Sequence, residues 1–276
     1  MKKKKRRIKW KNVILLFIFL ALIIILLTSS INIIKWLIDS RSSKSQISGI
    51  VNNTNITEVK DSKNTEYVID EDSLKENDPY WYYIKYNLID VDFKDLKKKN
   101  GDTIGWIQVK GTNINYPFVK TNNNDFYLTH SFNKKFNHAG WVFMDYRNST
   151  TEFDKNTIIY AHGRLDNTMF GSLRKILSSS WIKNVNNHVI TLSTEYENTL
   201  WQVFSVYKIK TTNDYLEINF INDDSTLEFY NMLIDRSEHD FNTSISSSDK
   251  IITLSTCYDD DYKVVLHAKL IKREKK

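Results

Sequence analysis

From about residue 103 onward the chain is a series of short β-branched and aromatic runs separated by polar turns. Ile104–Val109 and Asn113–Val119 flank Lys110-Gly111-Thr112, which reads as a hairpin-like turn. Gly140–Asp145, Thr157–Ala161, His188–Ser193, Thr199–Lys208, Ile251–Thr256 and Lys263–Ile271 read as further strands, rich in Val, Ile, Trp, Phe and Tyr. In the run ending at Cys257, Ile252, Leu254 and Thr256 share one face and Thr253, Ser255 and Cys257 the other. Helical spacing interrupts the strands twice. Asn167–Leu177 brings Met169, Phe170, Leu173, Ile176 and Leu177 onto one face, and Ser225-Thr226-Leu227-Glu228 reads as a capping box opening a helix to about Arg236. Upstream, Asp78-Pro79 signals the start of an aromatic helix over Tyr80–Leu88, and Asp92 caps a second over Phe93–Lys99, with Gly101 after its end. About eight strands with two or three peripheral helices predict a mainly β fold, a single antiparallel or mixed barrel rather than a βαβ array.

The N-terminal pattern is different. No charge interrupts the 23 residues between Lys11 and Lys35, and Val13–Leu27 is unbroken apolar sequence. At about 1.5 Å per residue this spans the ~30 Å hydrocarbon core of a bilayer. The stretch is long for a signal-peptide core and has no Ala-x-Ala-like cleavage site, so it reads as an uncleaved anchor. The expected organisation is a basic cytoplasmic segment (1–11), a single transmembrane helix (12–36), an extracellular linker (37–77) and a folded domain (78–276). Ser, Asn, Lys, Asp and Glu dominate the linker, which reads as a solvated tether.

Charge supports that orientation and excludes one function class. The formal net charge is +6, yet eight positive residues lie within 1–11, so the remainder carries −2. The basic balance is a terminal cluster on the cytoplasmic side of a span, not a nucleic-acid-binding face. Cys257 is the only cysteine, so an exported domain has no internal disulfide. Alone it reads equally well as a small buried hydrophobe or as a reactive thiol. Its place at the end of a strand, before the polar turn Tyr258-Asp259-Asp260-Asp261, is one where scaffolds present chemistry.

A cysteine nucleophile needs a base or ion-pair partner. His162 ends the apolar run Thr157–Ala161 and precedes Gly163, so it too lies at a strand-to-loop edge, where it reads either as that partner or as an ordinary surface histidine. His267 lies within the final strand and reads as structural, whereas His130, His138, His188 and His239 stand in polar contexts and read as solvated. No H-E-x-x-H run, Cys/His cluster or phosphate-cradling glycine loop is present, so neither a metal site nor a nucleotide site is expected.

Thr253-Leu254-Ser255-Thr256-Cys257 matches the T-L-x-T-C signature of sortases, and Tyr160-Ala161-His162-Gly163 resembles the histidine motif of the same family. Phe143-Met144-Asp145-Tyr146-Arg147-Asn148, Asn167-Thr168-Met169-Phe170 and the long insertion before the cysteine strand, about Lys208 to Ser248, resemble class B members. The resemblance runs from about residue 79 to 272. It implies a sortase-like eight-stranded β-barrel with peripheral helices behind the single transmembrane helix. It also implies a cysteine transpeptidase that needs no cofactor. Cys257 would attack the carbonyl after threonine in an Asn-Pro-x-Thr-x-like signal of a surface protein. His162 would be the imidazolium partner of the Cys257 thiolate and then the acid for the leaving amine, Thr256, Ser255 and Tyr160 would line the substrate groove, and an amine of peptidoglycan or its precursor would resolve the thioester.

The sequence departs from the family at the third catalytic position. The expected arginine at the start of the strand after the cysteine loop is Lys263, and no arginine lies between Cys257 and Arg273. Lysine keeps the charge but lacks the planar fork. Three readings follow: a working enzyme using Lys263, one borrowing Arg164, or a catalytically impaired homologue that binds sorting signals or serves as a surface scaffold. Net hydrolysis of the same peptides is a further enzymatic outcome.

Overall fold

The computed structural model describes residues 9–257 and 261–276, with the backbone path alone at Cys257. The basic residues Lys2 to Arg7 and the turn residues Tyr258 to Asp260 lie outside the described residues. The chain divides into two compact units, Met1–Ser42 and Ser43–Lys276.

In the first unit, helix α1 (Trp10–Asn53) begins, and it is the one helix among the described residues long and apolar enough to cross a membrane. Its large apolar side chains from Ile14 to Leu27 are exposed rather than packed on protein. Two hydroxyls in the span are satisfied within the helix: Thr28 Oγ1 donates to Ile24 O at 2.9 Å and Ser30 Oγ to Leu26 O at 2.8 Å. Internal satisfaction of polar groups is what a hydrocarbon environment demands.

The second unit contains, in chain order, β1 (Ile56–Val59), β2 (Thr65–Tyr67), α2 (Tyr80–Tyr83), β3 (Leu88–Val91), α3 (Lys94–Lys99), β4 (Thr103–Val109), β5 (Asn115–Val119), β6 (Phe143–Met144), β7 (Asn156–Tyr160), α4 (Ser179–Ile182), β8 (Val189–Thr194), β9 (Glu197–Lys210), α5 (Asp223–Asp235), β10 (Ile251–Cys257) and β11 (Tyr262–Lys275). Eight of the strands follow the order β10-β7-β6-β5-β4-β8-β9-β11, and β11 pairs back onto β10. The result is the closed eight-stranded barrel that the strand count predicts; closure leaves no open edge. The β5–β6 and β7–β10 pairings are parallel and the remainder antiparallel.

Alternation on the strands sorts side chains into separate cores. Trp106, Phe118, Trp141, Ile159, Leu192, Trp201, Ile252, Leu254 and Leu266 belong to the main core. Ile251 and Val265, with odd parity on β10 and β11, join Phe204, Tyr207, Phe229, Tyr230 and Leu233 in a second core beneath α5. The buried polar groups between β7, β10 and β11 form a chain of hydrogen bonds. Thr253 Oγ1 donates to Asn156 Oδ1 at 2.7 Å and lies 2.8 Å from His267 Nδ1, while Tyr207 Oη lies 2.8 Å from His267 Nε2. With the threonine proton committed to Asn156, Nδ1 donates to Thr253 and Nε2 accepts from Tyr207.

Several expectations are corrected. The aromatic helix ends at Tyr83 because Leu88 joins β3, which pairs with β1. The strand expected over Gly140–Asp145 shrinks to β6, since Gly140 turns with φ +62 and a Cβ there would lie 2.4 Å from Tyr127 O. Asn167–Leu177 becomes a 3₁₀ helix over Gly171–Leu177, entered through left-handed Asn167 and Met169. Helix α5 starts one turn earlier than expected, with Asn222 as N-cap and Ser225 completing the capping box from N3. His188, expected to be solvated, is buried: its Nε2 donates to Ile182 O at 2.9 Å and its Nδ1 lies 3.1 Å from Tyr83 Oη. Polar sequence neighbours concealed a tertiary pocket of Tyr83, Trp181 and Phe241.

The stretch 37–77, expected as a solvated tether, carries regular structure. Ile50 near the end of α1 is buried in the main core, β1 pairs with β3, and β2 extends the sheet from β11. Lys272 explains the last pairing. Its fully buried ammonium donates to Asp61 Oδ1 at 2.7 Å, Ile84 O at 2.7 Å and Tyr86 O at 2.6 Å, so among the described residues Asp61 supplies its counter-charge. A fragment starting at residue 77 is therefore expected to be less stable than one starting at 43 by roughly 1–3 kcal/mol, part of it reproduced by Asp61→Ala. Coincident urea midpoints would refute this.

Burial holds both inner histidines neutral. It lowers His188 to about 4 and His267 to about 3, the latter aided by the charge of Arg236. The unfolded chain takes up these protons near pH 6.5 and the folded chain does not, so the unfolded state binds more protons below that value. Stability is expected to fall from pH 6.5 toward 4, by up to about 1.4 kcal/mol per pH unit for each histidine. Urea titrations at several pH values would test it, with a shallower slope expected for His188→Gln.

Candidate active site

Three strand ends meet at one rim of the barrel. β7 and β10 run parallel with Ser255 opposite Tyr160, so both leave the sheet at the same end. His162 and Cys257 each follow that matched pair by two residues, and neighbouring strands lie about 4.8 Å apart. β11 returns antiparallel and sets Lys263 opposite Cys257. The parallel pairing thus delivers the chain to the rim at Tyr160, two residues before His162, whose ring is then anchored from the β5–β6 connection, whereas Lys263 is set opposite Cys257 by register itself.

His162 Nε2 lies 2.7 Å from Leu128 O. A carbonyl only accepts, so Nε2 carries the hydrogen and Nδ1 is the basic nitrogen. Gly140 makes room for this loop, since a Cβ there would come within 3.1 Å of the imidazole Cδ2 as well as striking Tyr127 O. Burial lowers the pKa of His162; the Leu128 carbonyl opposes that, and the positive charges of Arg164, Lys263 and His138 lower it further.

A cleft of about 280 Å³ opens beside these residues. Its walls include the predicted residues His162, Lys263, Tyr160, Ser255 and Thr256. Ser255 Oγ lies 2.9 Å from Tyr215 Oη, and Tyr160 Oη donates to Asp145 Oδ2 at 2.9 Å. Thr256 is only 2% exposed, and its Oγ1 has no hydrogen-bond partner among the described residues. A buried hydroxyl left unpaired costs about 1–3 kcal/mol. Arg164, the alternative cation, is ion-paired with Asp166 at 3.3 Å and is absent from the cleft wall. Among the described residues no group of His, Cys, Asp and Glu is arranged to hold a metal.

Sequence reasoning missed the opposite wall. Asn124, Asp125 and Leu128 come from the β5–β6 connection, and Thr211, Thr212, Asn213, Tyr215 and Leu216 from the start of the β9–β10 insertion. The insertion stood out in the sequence as a class B feature, but these polar positions resemble any surface loop, and only the three-dimensional closure singles them out.

A family model described as a sortase domain matches residues 107–271. Sortase B of Staphylococcus aureus is 35% identical over 185 residues, covering 65% of this chain and 75% of that protein. Sortase B of Listeria monocytogenes is 34% identical over 184 residues, covering 65% and 74%. The solved Staphylococcus aureus sortase B–substrate complex superposes with a TM-score of 0.61 at 35% identity, covering 65% of this chain and 84% of that one. The family match runs from within β4 to within β11 and includes the parallel strand pair whose ends lead to His162 and Cys257, and on that agreement the chain belongs to the sortase family, in class B.

Proposed function

We propose that this chain is a membrane-anchored transpeptidase that cleaves an Asn-Pro-x-Thr-x-like sorting signal of surface proteins through a Cys257 thioester and joins the new carboxyl end to a cell-wall amine. The observation that carries the reading is the register of β7, β10 and β11, which aligns the ends bearing His162, Cys257 and Lys263 beside one cleft. The substrate complex of the Staphylococcus aureus relative supports a substrate as occupant of the cleft. The basic segment ahead of the span supports a cytoplasmic N-terminus and an extracellular catalytic domain. The organisation expected from the sequence, with the catalytic domain within 78–276, is retained in this proposal, and residues 43–77 act as part of its framework.

In the proposed reaction neutral His162 takes the thiol proton. The Cys257 sulfur attacks the carbonyl carbon after threonine, and its electron pair moves onto oxygen. Lys263 donates to that oxygen and the unpaired Thr256 hydroxyl binds the signal peptide. The carbonyl re-forms, the C–N bond breaks, and the imidazolium protonates the departing amine. An amine of peptidoglycan or its precursor then attacks the thioester, gives its proton to His162, and expels the thiolate. Acyl transfer of this kind uses no metal or organic group. With water in place of the amine the same steps give hydrolysis.

A second reading has one observation in its favour, lysine where the family carries arginine: a homologue that binds signals without cleaving them. Intact-mass spectrometry with an Asn-Pro-x-Thr-x peptide library decides between them. The expected outcome is a thioester adduct that Cys257→Ala abolishes, with Lys263→Gln lowering kcat/KM by about 10²–10³ and Lys263→Arg raising it. Peptide binding with no adduct, in the wild type and in Lys263→Arg, would favour the second reading. Product formation by Cys257→Ala would end the first.

The pH profile offers an independent check. The protonated imidazole cannot accept the thiol proton, so the acidic limb of kcat/KM follows His162, whose pKa lies below its ordinary 6.5. The limb is expected below pH 6.5, and Lys263→Gln, by removing a nearby positive charge, is expected to move it upward. A limb that stays fixed or moves downward would contradict this placement of charge.

A further inference from the structure

The segment Phe143–Asn148, which marks the class in sequence, has no part in the chemistry above. Its centre, Asp145, is fully buried, and donors from three separate chain segments converge on its carboxylate. Oδ1 accepts from the Arg147 backbone N–H at 2.9 Å and from Arg147 Nε at 2.9 Å. Oδ2 accepts from Arg147 Nη2 at 3.0 Å, Tyr160 Oη at 2.9 Å and Asn124 Nδ2 at 3.1 Å. Burial alone would raise the Asp145 pKa; the bonds from Arg147 and Tyr160 overcome it and hold the group ionised.

Arg147 carries the connection across the cleft. The same Nη2 donates to Leu216 O at 3.0 Å. Asn156, at the start of β7, binds the flanking carbonyls, Tyr215 O at 3.3 Å and Glu217 O at 2.8 Å. Asn124 completes the other side by accepting from the Tyr146 N–H at 3.0 Å. Tyr160, Asn124 and Leu216 come from β7, the β5–β6 connection and the β9–β10 insertion, and all three line the cleft.

We infer that the Asp145–Arg147 pair is a positioning centre for the donor peptide: it clasps three walls of the cleft at one spacing and so sets peptide affinity without touching the reacting atoms. The inference rests on the proposed transpeptidase reading, because it assigns the cleft to the signal peptide. Coupling through a partly buried guanidinium suits the task. Its planar fork holds the carboxylate with two nitrogens and still has a donor for the Leu216 carbonyl, which an ammonium on a flexible stem does not reproduce.

The test uses the full-length chain in detergent with a cleavable signal peptide and a small thiol reagent, iodoacetamide. Arg147→Lys, at a half-exposed site, keeps the charge and loses the fork. It is expected to lower kcat/KM roughly 10- to 100-fold, almost wholly through KM, because displaced walls weaken binding before chemistry. The rate of Cys257 alkylation is expected to equal that of the wild type, since iodoacetamide needs no peptide groove. Asp145→Asn, which keeps the size and loses the charge, is expected to show the same split. Unchanged KM in both variants would overturn the clasp and leave the transpeptidase reading intact. A fall in kcat with slowed alkylation would overturn it too, by showing general damage to the site. A wild-type chain that alkylates normally yet cleaves no signal peptide would remove the reading and the clasp's role together.

Discussion

Everything at the rim depends on the pairing of β10 between a parallel neighbour and an antiparallel one. A β-ladder fixes relative position along the strand, and a slip of one residue would turn every side chain of β10 to the opposite face. Two devices oppose the slip. The inner parity, Ile252 and Leu254, is locked in the main core. The outer parity is locked by Thr253, which bridges Asn156 of β7 and His267 of β11. One hydroxyl thus ties the three strands whose ends carry the candidate catalytic groups. The fully buried His267 serves this tie only as a neutral ring, which its lowered pKa provides.

The second constraint is that the outer face of β10 must be covered. Helix α5 does this with Phe229, Tyr230 and Leu233 against Ile251 and Val265. Tyr215 and Leu216 join that apolar cover, and polar contacts from Arg147, Asn156 and Ser255 to residues 215–217 hold the insertion as well. Directional bonds hold a wall at a distance without filling the space beside it, as a cleft requires; apolar packing would close it. The insertion therefore adds directional bonds to its apolar packing where it borders the cleft.

The barrel was legible in the chain because half-buried strands declare themselves by alternation, and eight of them with so few helices leave few topologies. Cys257, His162 and Lys263 were legible as strand-end residues, and the resemblance to sortases supplied their grouping. Local pattern carried no trace of the parallel β7–β10 contact, which joins residues about 95 positions apart in the register Ser255 to Tyr160. Residues 43–77 were unreadable for a related reason. Asp61 resembles any solvated carboxylate until Lys272, more than 200 positions later, is found buried beneath it. His188 misled because its neighbours Asn186 and Asn187 are polar while its ring packs on Trp181 and Phe241. In each case the missing information was a long-range partner.

Lysine at position 263 acts on the site in two ways that arginine would share unequally. As a charge it helps keep His162 neutral, and a guanidinium would do this as well. As a donor it offers a compact ammonium on a four-carbon stem, with less fixed direction than a fork. Its backbone is held opposite Cys257 at the head of β11, so the stem starts from a defined point. The loss in direction therefore falls on the last bonds of one side chain and not on the register of the strand. An oxyanion donor that must be ordered at each turnover contributes less than a preorganised one, because part of its interaction energy offsets lost rotamer freedom. Under the proposed reaction, the departure from arginine is thus a change in how firmly one donor is held rather than the loss of a catalytic group, and it leaves the cleft walls around Asp145 untouched.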